Sequence, residues 1–557
     1  MLGFDAMRDE RIRKGACPGR ASRRGLAESG LRRILAAVAA AFLGTPSLAD
    51  APVIGTGAFE QAVATAAAES PAIAAWYRDS GYDALWTGPD DSGRRSVLLD
   101  ALAGAADHGL PPTRYGRDAL IAGLRAARTE GDRARLEVAM TRAYLSWAED
   151  LQAGLLEPDR IDRTIVREIT RPEPETLLRA ISAGDPGDVL RSLLPQSDVY
   201  GQLMRASLDL KEVIANGGWG PPVPGGALEP GASGARVVAL RDRLMAMGYL
   251  ERSVTRDYDR RIAAAVLAFQ RDHGLAPDGV AGAATLAEIN RPPEERLESI
   301  LVAMERERWM HIDRSGRLVW VNLPDFTASI VEDGRVLFST RAVIGREDMD
   351  RRTPEFSDEM EHMVVNPSWG VPRSIVVKEY LPMLQRNPNA VSYLQLIDGQ
   401  GRVVPRGAVN FAAYSAKTFP FAMRQPPSDS NALGRVKFMF PNRYNIYLHD
   451  TPSKSLFAHE RRAYSHGCIR LADPFDFAHV LLSAQSSAAE AEFAAELATR
   501  QETVMPLERS IPIHLVYFTA YPDARGHITY RGDVYGRDAK LWAALAEAGV
   551  ALPEASR

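Results

Sequence analysis

The spacing of hydrophobic positions divides the chain into blocks with different predicted secondary structure. Between residues 50 and about 220, apolar side chains recur every three or four residues, which is the spacing of one buried helix face. Two runs show the pattern most clearly, Leu98, Leu99, Leu102, Ala105 and then Leu136, Ala139, Met140, Ala143, Tyr144, Trp147. This block is predicted to be a helical domain whose charged residues lie on solvated faces.

A segment rich in proline and glycine, residues 217–226, follows this block and is predicted to be a linker. Residues 227–290 then show helical spacing again, with glycines where short helices would end. The predicted core of this small bundle includes Leu240, Leu244, Val266 and Phe269.

From about residue 315 the pattern changes to short β-branched or alternating runs, bounded by Asp-Gly or proline. The runs are residues 318–322, 329–331, 336–340, 341–345 and 363–365. They predict an antiparallel sheet. Residues 369–432 interrupt it with polar, proline-rich sequence and one amphipathic stretch, Val376 to Leu384. Such an insertion is a candidate lid, and the alternative is a surface excursion without a catalytic role.

The first fifty residues predict an export signal. Residues 1–33 hold nine basic and four acidic side chains, an apolar run from Ile34 to Leu43 follows, and Ser47-Leu48-Ala49 resembles a cleavage site. The alternative is an uncleaved membrane anchor, but the apolar run is short against the roughly 20 residues that cross a bilayer.

Composition narrows the function classes. The chain has 557 residues, 46% of them hydrophobic and 25% charged, as expected for folded globular domains. Its 67 basic residues nearly balance 71 acidic ones, so no overall charge recruits nucleic acid. Two cysteines, Cys17 and Cys468, are too few for a disulfide framework, and signal cleavage would leave Cys468 alone.

The residues around Cys468 suggest nucleophilic catalysis. Gly467 permits a tight turn, and the backbone N–H groups of Gly467 and Cys468 are candidates for an oxyanion hole. His449 lies upstream, at the end of a predicted apolar strand from Tyr444 to Leu448. Because a thiol is weakly ionised at neutral pH unless a base takes its proton, a nearby imidazole would activate it.

The sequence Ser465-His466-Gly467-Cys468, preceded by His449, is similar to the signature of the L,D-transpeptidases with a YkuD-type catalytic domain. Residues 366–369, 431–434 and 440–442 are similar to motifs of the large Gram-negative branch. Residues 227–290 resemble a peptidoglycan-binding domain, and the helical block resembles the scaffold domain of that branch.

The resemblance implies a multidomain α+β fold. Its expected parts are a signal peptide (1–49), a mostly helical scaffold domain (50–220), a three-helix peptidoglycan-binding domain (227–290), a β-rich catalytic domain (315–505) with the lid 369–432, and a C-terminal segment (506–557) packing on the scaffold and catalytic domains.

The resemblance also implies roles for individual residues. Cys468 would be the nucleophile and His449 the general base and acid, with Gly467 and Ser465 in the supporting turn. The imidazole would be oriented by the backbone carbonyl of Asp450 or by its side chain. His466 would either stabilise the thiolate or pack the turn.

Three further side chains, Arg470, Tyr447 and Lys437, are the candidate substrate-binding residues. For Arg470 two roles stay open, because a guanidinium there could bind a substrate carboxylate or anchor the loop. No cofactor and no metal are expected. The alternative is a zinc site, because this stretch contains five residues of types that bind zinc: His449, Asp450, His459, His466 and Cys468. The spacing of these residues matches no common zinc-binding pattern.

The implied activity is acyl transfer on peptidoglycan in the periplasm. Cys468 would attack the bond between diaminopimelate and D-alanine in a tetrapeptide stem, and the thioester would pass to a neighbouring stem as a 3→3 cross-link. The implied partners are stem peptides and glycan strands, with functional links to a D,D-carboxypeptidase and glycan synthases, and the inner membrane if the signal stays uncleaved. The alternatives are an L,D-carboxypeptidase acting on the same bond and a noncatalytic wall-binding scaffold.

Overall fold

The computed structural model describes residues 57–553. The predicted export signal and Cys17 lie outside the described residues. Within the described range, no helix is both long enough and apolar enough to cross a membrane.

Helices make up the N-terminal part of the described chain, as predicted. They are α1 (Ala58–Ala67), α2 (Pro71–Asp79), α3 (Ser92–Ala103), α4 (Arg117–Ala126), α5 (Glu130–Ala153), α6 (Pro158–Ile161), α7 (Pro174–Ala183), α8 (Pro186–Ser192) and α9 (Asp198–Ala215). The long helix α5 begins after Thr129, whose hydroxyl accepts a hydrogen bond from the backbone N–H of Asp132. It runs through the centre of this part, with Met140, Tyr144 and Leu151 fully buried.

A small helical unit follows the linker and consists of α10 (Ala235–Ala246), α11 (Arg260–Asp272) and α12 (Ala283–Ile289). The four predicted core residues Leu240, Leu244, Val266 and Phe269 are all buried there.

Helix α13 (Pro293–Met310) was not predicted, and it lies at the centre of the molecule. Its apolar side chains pack with those of α9 in one core cluster, which includes Leu203, Leu297 and Leu301. Four consecutive charged residues near its end, 305–308, are also buried. A run of charges usually indicates a solvated face, so the sequence pattern alone conceals this helix.

The C-terminal part is rich in strands. They are β1 (Arg317–Asn322), β2 (Thr327–Glu332), β3 (Arg335–Gly345), β4 (Phe356–Val365), β5 (Trp369–Gly370), β6 (Gln395–Ile397), β7 (Val403–Val404), β8 (Ala422–Gln425), β9 (Val436–Met439), β10 (Leu448–His449), β11 (Ala463–Ser465), β12 (Ile469–Leu471), β13 (Thr503–Val516), β14 (Ala520–Pro522) and β15 (Ile528–Tyr530). The helices of this part are α14 (Arg373–Ile375), α15 (Leu381–Arg386), α16 (Pro474–Leu482), α17 (Ala489–Ala498) and α18 (Arg537–Glu547).

Nine strands form the main sheet in the order β11-β3-β12-β10-β9-β4-β13-β1-β2, and β2 also pairs with β3, which closes the sheet on itself. The predicted antiparallel sheet is wrong in part, because β1 with β13, β10 with β12 and β11 with β3 are parallel. The two predicted runs 336–340 and 341–345 are one strand, β3.

Strand β13 corrects the predicted C-terminal boundary. It pairs with β4 on one side and with β1 on the other, so it is a central strand of the main sheet. The boundary predicted at residue 505 falls inside this strand, and residues 506–516 belong to the sheet instead of packing against it as a separate segment.

The lid segment, residues 369–432, is a folded subdomain. It contains a second sheet of order β5-β8-β6-β7 and its own hydrophobic core, in which Val376, Leu384 and Phe419 are buried. The predicted amphipathic stretch is helical, with a π-helical turn over Val376–Tyr380 that leads into α15. The predicted fold class, multidomain α+β with a helical N-terminal region and a β-rich C-terminal domain, is confirmed.

Candidate active site

Three neighbouring strands bring the predicted site residues together. His449 on β10 pairs in register with Lys437 on β9 and with Arg470 on β12. Residues directly opposite each other on adjacent strands project from the same face, so these three side chains form a row across the sheet. Tyr447 lies two residues before His449, and the two ring centroids are 5.6 Å apart. The predicted strand from Tyr444 to Leu448 is shorter than expected, since β10 covers only Leu448–His449.

Cys468 ends the turn between β11 and β12. Gly467 in this turn has φ of +119°, a conformation that side-chain-bearing residues rarely adopt, and a Cβ there would lie 3.1 Å from Ile446 Cδ1. The Ser465 hydroxyl accepts a hydrogen bond from Gly467 N at 3.1 Å and donates one to the Cys468 carbonyl at 2.5 Å. Ser465 is therefore a structural member of the turn.

The predicted pair of oxyanion donors is not equally available. The Gly467 N–H already donates to Ser465 Oγ, whereas the Cys468 N–H has no hydrogen-bond acceptor within residues 57–553. The geometry thus leaves the Cys468 N–H as the open donor beside the sulfur.

Hydrogen bonds from Thr353 and Tyr535, which the sequence did not indicate, also hold the turn in place. Thr353 Oγ1 donates to the Gly467 carbonyl at 2.7 Å and accepts from Gly345 N at 2.9 Å. The Tyr535 hydroxyl donates to the Gly345 carbonyl at 2.6 Å. These bonds link the nucleophile turn to β3 and to the segment that precedes α18.

The imidazole of His449 is held by a backbone carbonyl. Its Nδ1 lies 2.5 Å from Asp450 O, and a carbonyl can only accept, so Nδ1 carries the proton and Nε2 is the free acceptor. The Asp450 carboxylate has other partners, because it accepts from Arg435 N and from Lys454 Nζ, both at 2.9 Å. Of the two alternatives for Asp450, the structure shows the backbone one.

Burial controls the ionisation of the thiol and the imidazole. It raises the pKa of Cys468 to about 11, although the Tyr447 backbone N–H and hydroxyl and the charges of Arg470 and Lys437 act to lower this pKa. Burial lowers the pKa of His449 to about 3, and Arg470 adds to that shift. Both groups are therefore neutral at pH 7. The thiol proton has a hydrogen-bond acceptor in the Asn445 carbonyl, 3.4 Å from Sγ.

The Arg470 guanidinium has no ion-pair partner in the described part of the chain, and its buried Nε has no hydrogen-bond acceptor there. Burial lowers the pKa of Arg470, and Cys468 raises it. Contacts that would anchor the loop through this side chain are not found within residues 57–553. Lys437 is half-buried with its Nζ 5.9 Å from the centroid of the Tyr447 ring. The site therefore presents two cations beside the thiol.

The His466 side chain contacts the lid segment. Its Nε2 lies 2.8 Å from Glu379 Oε1, and the same carboxylate accepts from Arg351 at 2.9 Å. Sequence reasoning missed Glu379, whose only signal was its position in the amphipathic stretch. The contact joins the nucleophile turn to the lid segment.

A metal site is the alternative use of the same side chains. Within the described residues, no group of three or more His, Cys, Asp or Glu side chains is arranged to hold a metal ion.

Comparison with known families agrees with this geometry. Residues 316–487 match the family model described as "L,D-transpeptidase catalytic domain" (YkuD), residues 71–206 match "Scaffold domain", and residues 233–289 match "Putative peptidoglycan binding domain".

A curated Haemophilus influenzae protein named "Putative L,D-transpeptidase" is 32% identical over 242 residues, which are 43% of this chain and 48% of that protein. The chain thus spans about half the length of the curated relative it matches.

Two solved L,D-transpeptidase structures are also similar. One from Xylanimonas cellulosilytica has 19% identity and a TM-score of 0.16, and covers 53% of this chain and 100% of its own. One from Stackebrandtia nassauensis has 16% identity and a TM-score of 0.22, and covers 53% of this chain and 97% of its own. At these TM-scores neither structure carries weight. The family models confirm the resemblance predicted from the motifs, and residues 316–487 match the YkuD model of L,D-transpeptidase catalytic domains.

Proposed function

We propose that the chain is a peptidoglycan L,D-transpeptidase in which Cys468 is the nucleophile and His449 is the general base and acid. The observation that carries the proposal is the orientation of the His449 imidazole and the position of its proton. Its Nδ1 is fixed on Asp450 O, and its strand lies in register beside the one that follows Cys468, so an unprotonated Nε2 is available as base.

In the first step His449 Nε2 takes the thiol proton as Sγ attacks the diaminopimelate carbonyl carbon of a tetrapeptide stem. The developing oxyanion accepts a hydrogen bond from the Cys468 N–H. His449 then returns the proton to the leaving amine, D-alanine departs, and a thioester remains on Cys468.

In the second step the side-chain amine of a neighbouring stem attacks the thioester. His449 takes a proton from this amine and the thiolate leaves as the 3→3 amide forms; that proton then restores the thiol. Water competes with the amine at this stage, and the lid segment, joined to the turn through Glu379 and His466, supports its exclusion.

The neutral Cys468 thiol and the neutral His449 imidazole suit this acyl transfer. A thiol and an imidazole that are both uncharged in the buried site carry no preformed thiolate that would react with solutes before substrate arrives. The proton moves between two groups within the protein, and the cations Arg470 and Lys437 favour the thiolate as it forms.

The unpaired guanidinium of Arg470 supports a role in substrate binding. A half-buried cation with a buried Nε and no carboxylate partner is unfavourable, and a substrate carboxylate would supply that partner through bidentate hydrogen bonds. Lys437 and Tyr447 flank the same space and complete the proposed stem-binding surface.

The remaining parts of the proposal concern the cell wall. The small helical unit matches a peptidoglycan-binding model, which supports glycan strands as its ligand and the periplasm as the site of action. The tetrapeptide donor requires a D,D-carboxypeptidase to remove the fifth residue, and new strands come from glycan synthases.

Product analysis on a defined substrate tests the proposal. Purified disaccharide-tetrapeptide is incubated with the wild-type chain and with Cys468→Ala, and products are identified by mass spectrometry. The wild-type chain should give a cross-linked dimer and D-alanine, while Cys468→Ala should give neither. Tripeptide with D-alanine and no dimer would show an L,D-carboxypeptidase instead, and undiminished product from Cys468→Ala would overturn the mechanism.

A further inference from the structure

A cationic cleft lies where the helical N-terminal part meets the catalytic domain. Its volume is about 600 Å³, which is in the range of clefts that bind small ligands. Four of its lining residues are arginines, and one is an acid. The lining residues are Asp159, Arg160, Arg163, Val166, Arg167 and Arg443.

None of the four arginines forms an ion pair with a carboxylate in the part of the chain that the structure describes. Elsewhere in the same segment the usual arrangement holds, since Arg171 pairs with Glu149 at 2.6 Å and with Glu157. Arg160 and Arg163 are exposed to solvent at the cleft. The cleft therefore concentrates positive charge that no ion pair within residues 57–553 neutralises, although Asp159 lines it and the Glu355 carboxylate acts on Arg167.

Neutral groups hold two of these guanidinium groups in place. Arg167 donates to Ser357 Oγ at 2.8 Å and to the Leu515 carbonyl at 2.6 Å, and Arg443 donates to the Tyr444 hydroxyl at 2.8 Å. Burial lowers the pKa of Arg167 to about 10, so it stays protonated at neutral pH. Acceptors of this kind orient a cation without cancelling its charge.

Hydrogen bonds also hold the backbone of the cleft in place. Val166 N donates to the Glu355 carbonyl and Glu355 N donates to the Thr164 carbonyl, both at 2.8 Å. These bonds attach the arginine segment to the chain just before β4, so the cleft is built from two domains.

One wall of the cleft is linked through the backbone to the turn that contacts the thiol. Arg443 on this wall lies two residues before Asn445, whose carbonyl accepts the hydrogen bond from Cys468 Sγ. The cleft therefore connects to the thiol through residues 443–445, whereas the lid segment contacts the Cys468 turn through His466.

The geometry points to a binding site for the acceptor strand: the arginine cleft binds carboxylates of the stem peptide whose amine resolves the acyl-enzyme. The inference rests on the proposed function and adds a substrate subsite to it. A tetrapeptide stem carries several carboxylates, and guanidinium groups recognise carboxylates through paired hydrogen bonds. The donor stem occupies the space beside Arg470, so the acceptor needs a separate cationic surface next to the thioester.

The test measures how acyl-enzyme divides between dimer and hydrolysed tripeptide as the acceptor concentration rises. This ratio reports acceptor binding and does not depend on how fast the donor acylates Cys468. In the double variant Arg160→Glu/Arg163→Glu, the acceptor concentration giving half-maximal dimer should rise by about tenfold or more, since two cations become anions.

The matched control is Arg179→Glu/Arg191→Glu, which changes the net charge equally at two exposed helical arginines outside the cleft. Its half-maximal concentration should change by less than about twofold. An unchanged ratio in the cleft variant, or the same change in both variants, would overturn the inference.

A binding experiment separates this inference from the proposed function. Cys468→Ala, with and without the cleft substitutions, is titrated with the tetrapeptide stem by calorimetry and mixed with phosphatidylglycerol vesicles. Weaker stem binding in the cleft variant supports the inference even if the wild-type chain forms no dimer, an outcome that would refute only the proposed function. Vesicle binding that is lost in the cleft variant, with stem binding unchanged, would overturn it in favour of a phosphate surface.

Discussion

Two arginines of this molecule, Arg306, which is buried, and Arg470, which is half-buried, have opposite surroundings. Arg306 on α13 pairs with Glu355 at 2.6 Å and with Asp538 at 2.8 Å, and Arg537 completes the network by donating to Glu355 at 3.0 Å. Arg470 on β12 has no such carboxylate among the residues described. Burial would lower the pKa of Arg306, but Glu355 and Asp538 raise it above its ordinary value, while the pKa of Arg470 is lowered.

The difference separates a structural charge from one that is available for a ligand. The Arg306 network joins α13, the chain before β4 and α18, so its ion pairs fasten the helical part to the catalytic domain. Arg470 forms no comparable ion pair among the residues described, and its charge lies near the Cys468 thiol. Substitution of the two residues should therefore affect different properties of the protein.

The largest expected effect is on stability, from Arg306→Met. Removing this cation leaves Asp538 buried without its ion-pair partner and Glu355 with Arg537 alone, and breaking a buried ion pair typically costs about 3–5 kcal/mol. Chemical denaturation monitored by circular dichroism measures the loss. Arg179→Met, at an exposed site, is the control and should change stability by less than about 0.5 kcal/mol. A stability equal to that of the control would show that the network is not what joins the two parts.

The second effect is on catalysis, from Arg470→Met. Loss of a charge-assisted bidentate contact with a substrate carboxylate should lower kcat/KM by about 100-fold, mainly through KM. Stability should stay the same or increase, because an unpaired, half-buried charge is removed. Arg470→Lys retains the charge without the paired geometry and should recover part of the activity. Full activity in Arg470→Met would assign this residue no role in binding.

A smaller effect is expected at the contact between the lid segment and the nucleophile turn. Glu379→Gln weakens the pairing with His466 and Arg351, both partly exposed, so the expected change is within about fivefold. The variant should release more hydrolysed tripeptide relative to dimer, since water enters a less firmly closed site. Lys378→Gln, which breaks the neighbouring exposed pair with Asp350, is the control. Equal ratios in all three proteins would show that Glu379 does not keep the lid closed.

The smallest expected effect is on the pH dependence of thiol alkylation at Cys468. With the pKa of Cys468 at about 11, the rate of alkylation by iodoacetamide should keep rising with pH through the range above 9. In Arg470→Met the rise of the alkylation rate should occur at still higher pH, because the Arg470 cation lowers the pKa of Cys468 in the wild-type chain. A rate that is already constant above pH 7 would indicate a preformed thiolate and would contradict the neutral pair.

The sequence was sufficient for the parts of the site that are local in the chain. Cys468, Gly467 and Ser465 lie in one turn, and the distance from His449 to that turn is characteristic of the family. The register that places Lys437, His449 and Arg470 in one row depends on strand pairing, and the motifs suggested these residues only through resemblance.

Other features depend on contacts between residues far apart in the chain. Glu379 meets His466 because the lid segment folds with its own core, and the arginine cleft forms because residues 159–167 dock beside β4. Helix α13 was missed since its run of charges is buried, and one of them, Arg306, finds its partners in the distant residues Glu355 and Asp538, which no local pattern reveals. The predicted antiparallel direction of the strands was partly wrong because the parallel pairs join strands that are distant in the chain.

The most direct test of the account is the identity of the covalent intermediate. The wild-type chain and Cys468→Ala are mixed with disaccharide-tetrapeptide, quenched rapidly in acid, and analysed by intact mass and peptide mapping. A disaccharide-tripeptide adduct is expected on the peptide that contains Cys468 in the wild-type chain, and no adduct is expected in the variant. An adduct of the same mass on Cys468→Ala, or dimer formed by that variant at the wild-type rate, would contradict it.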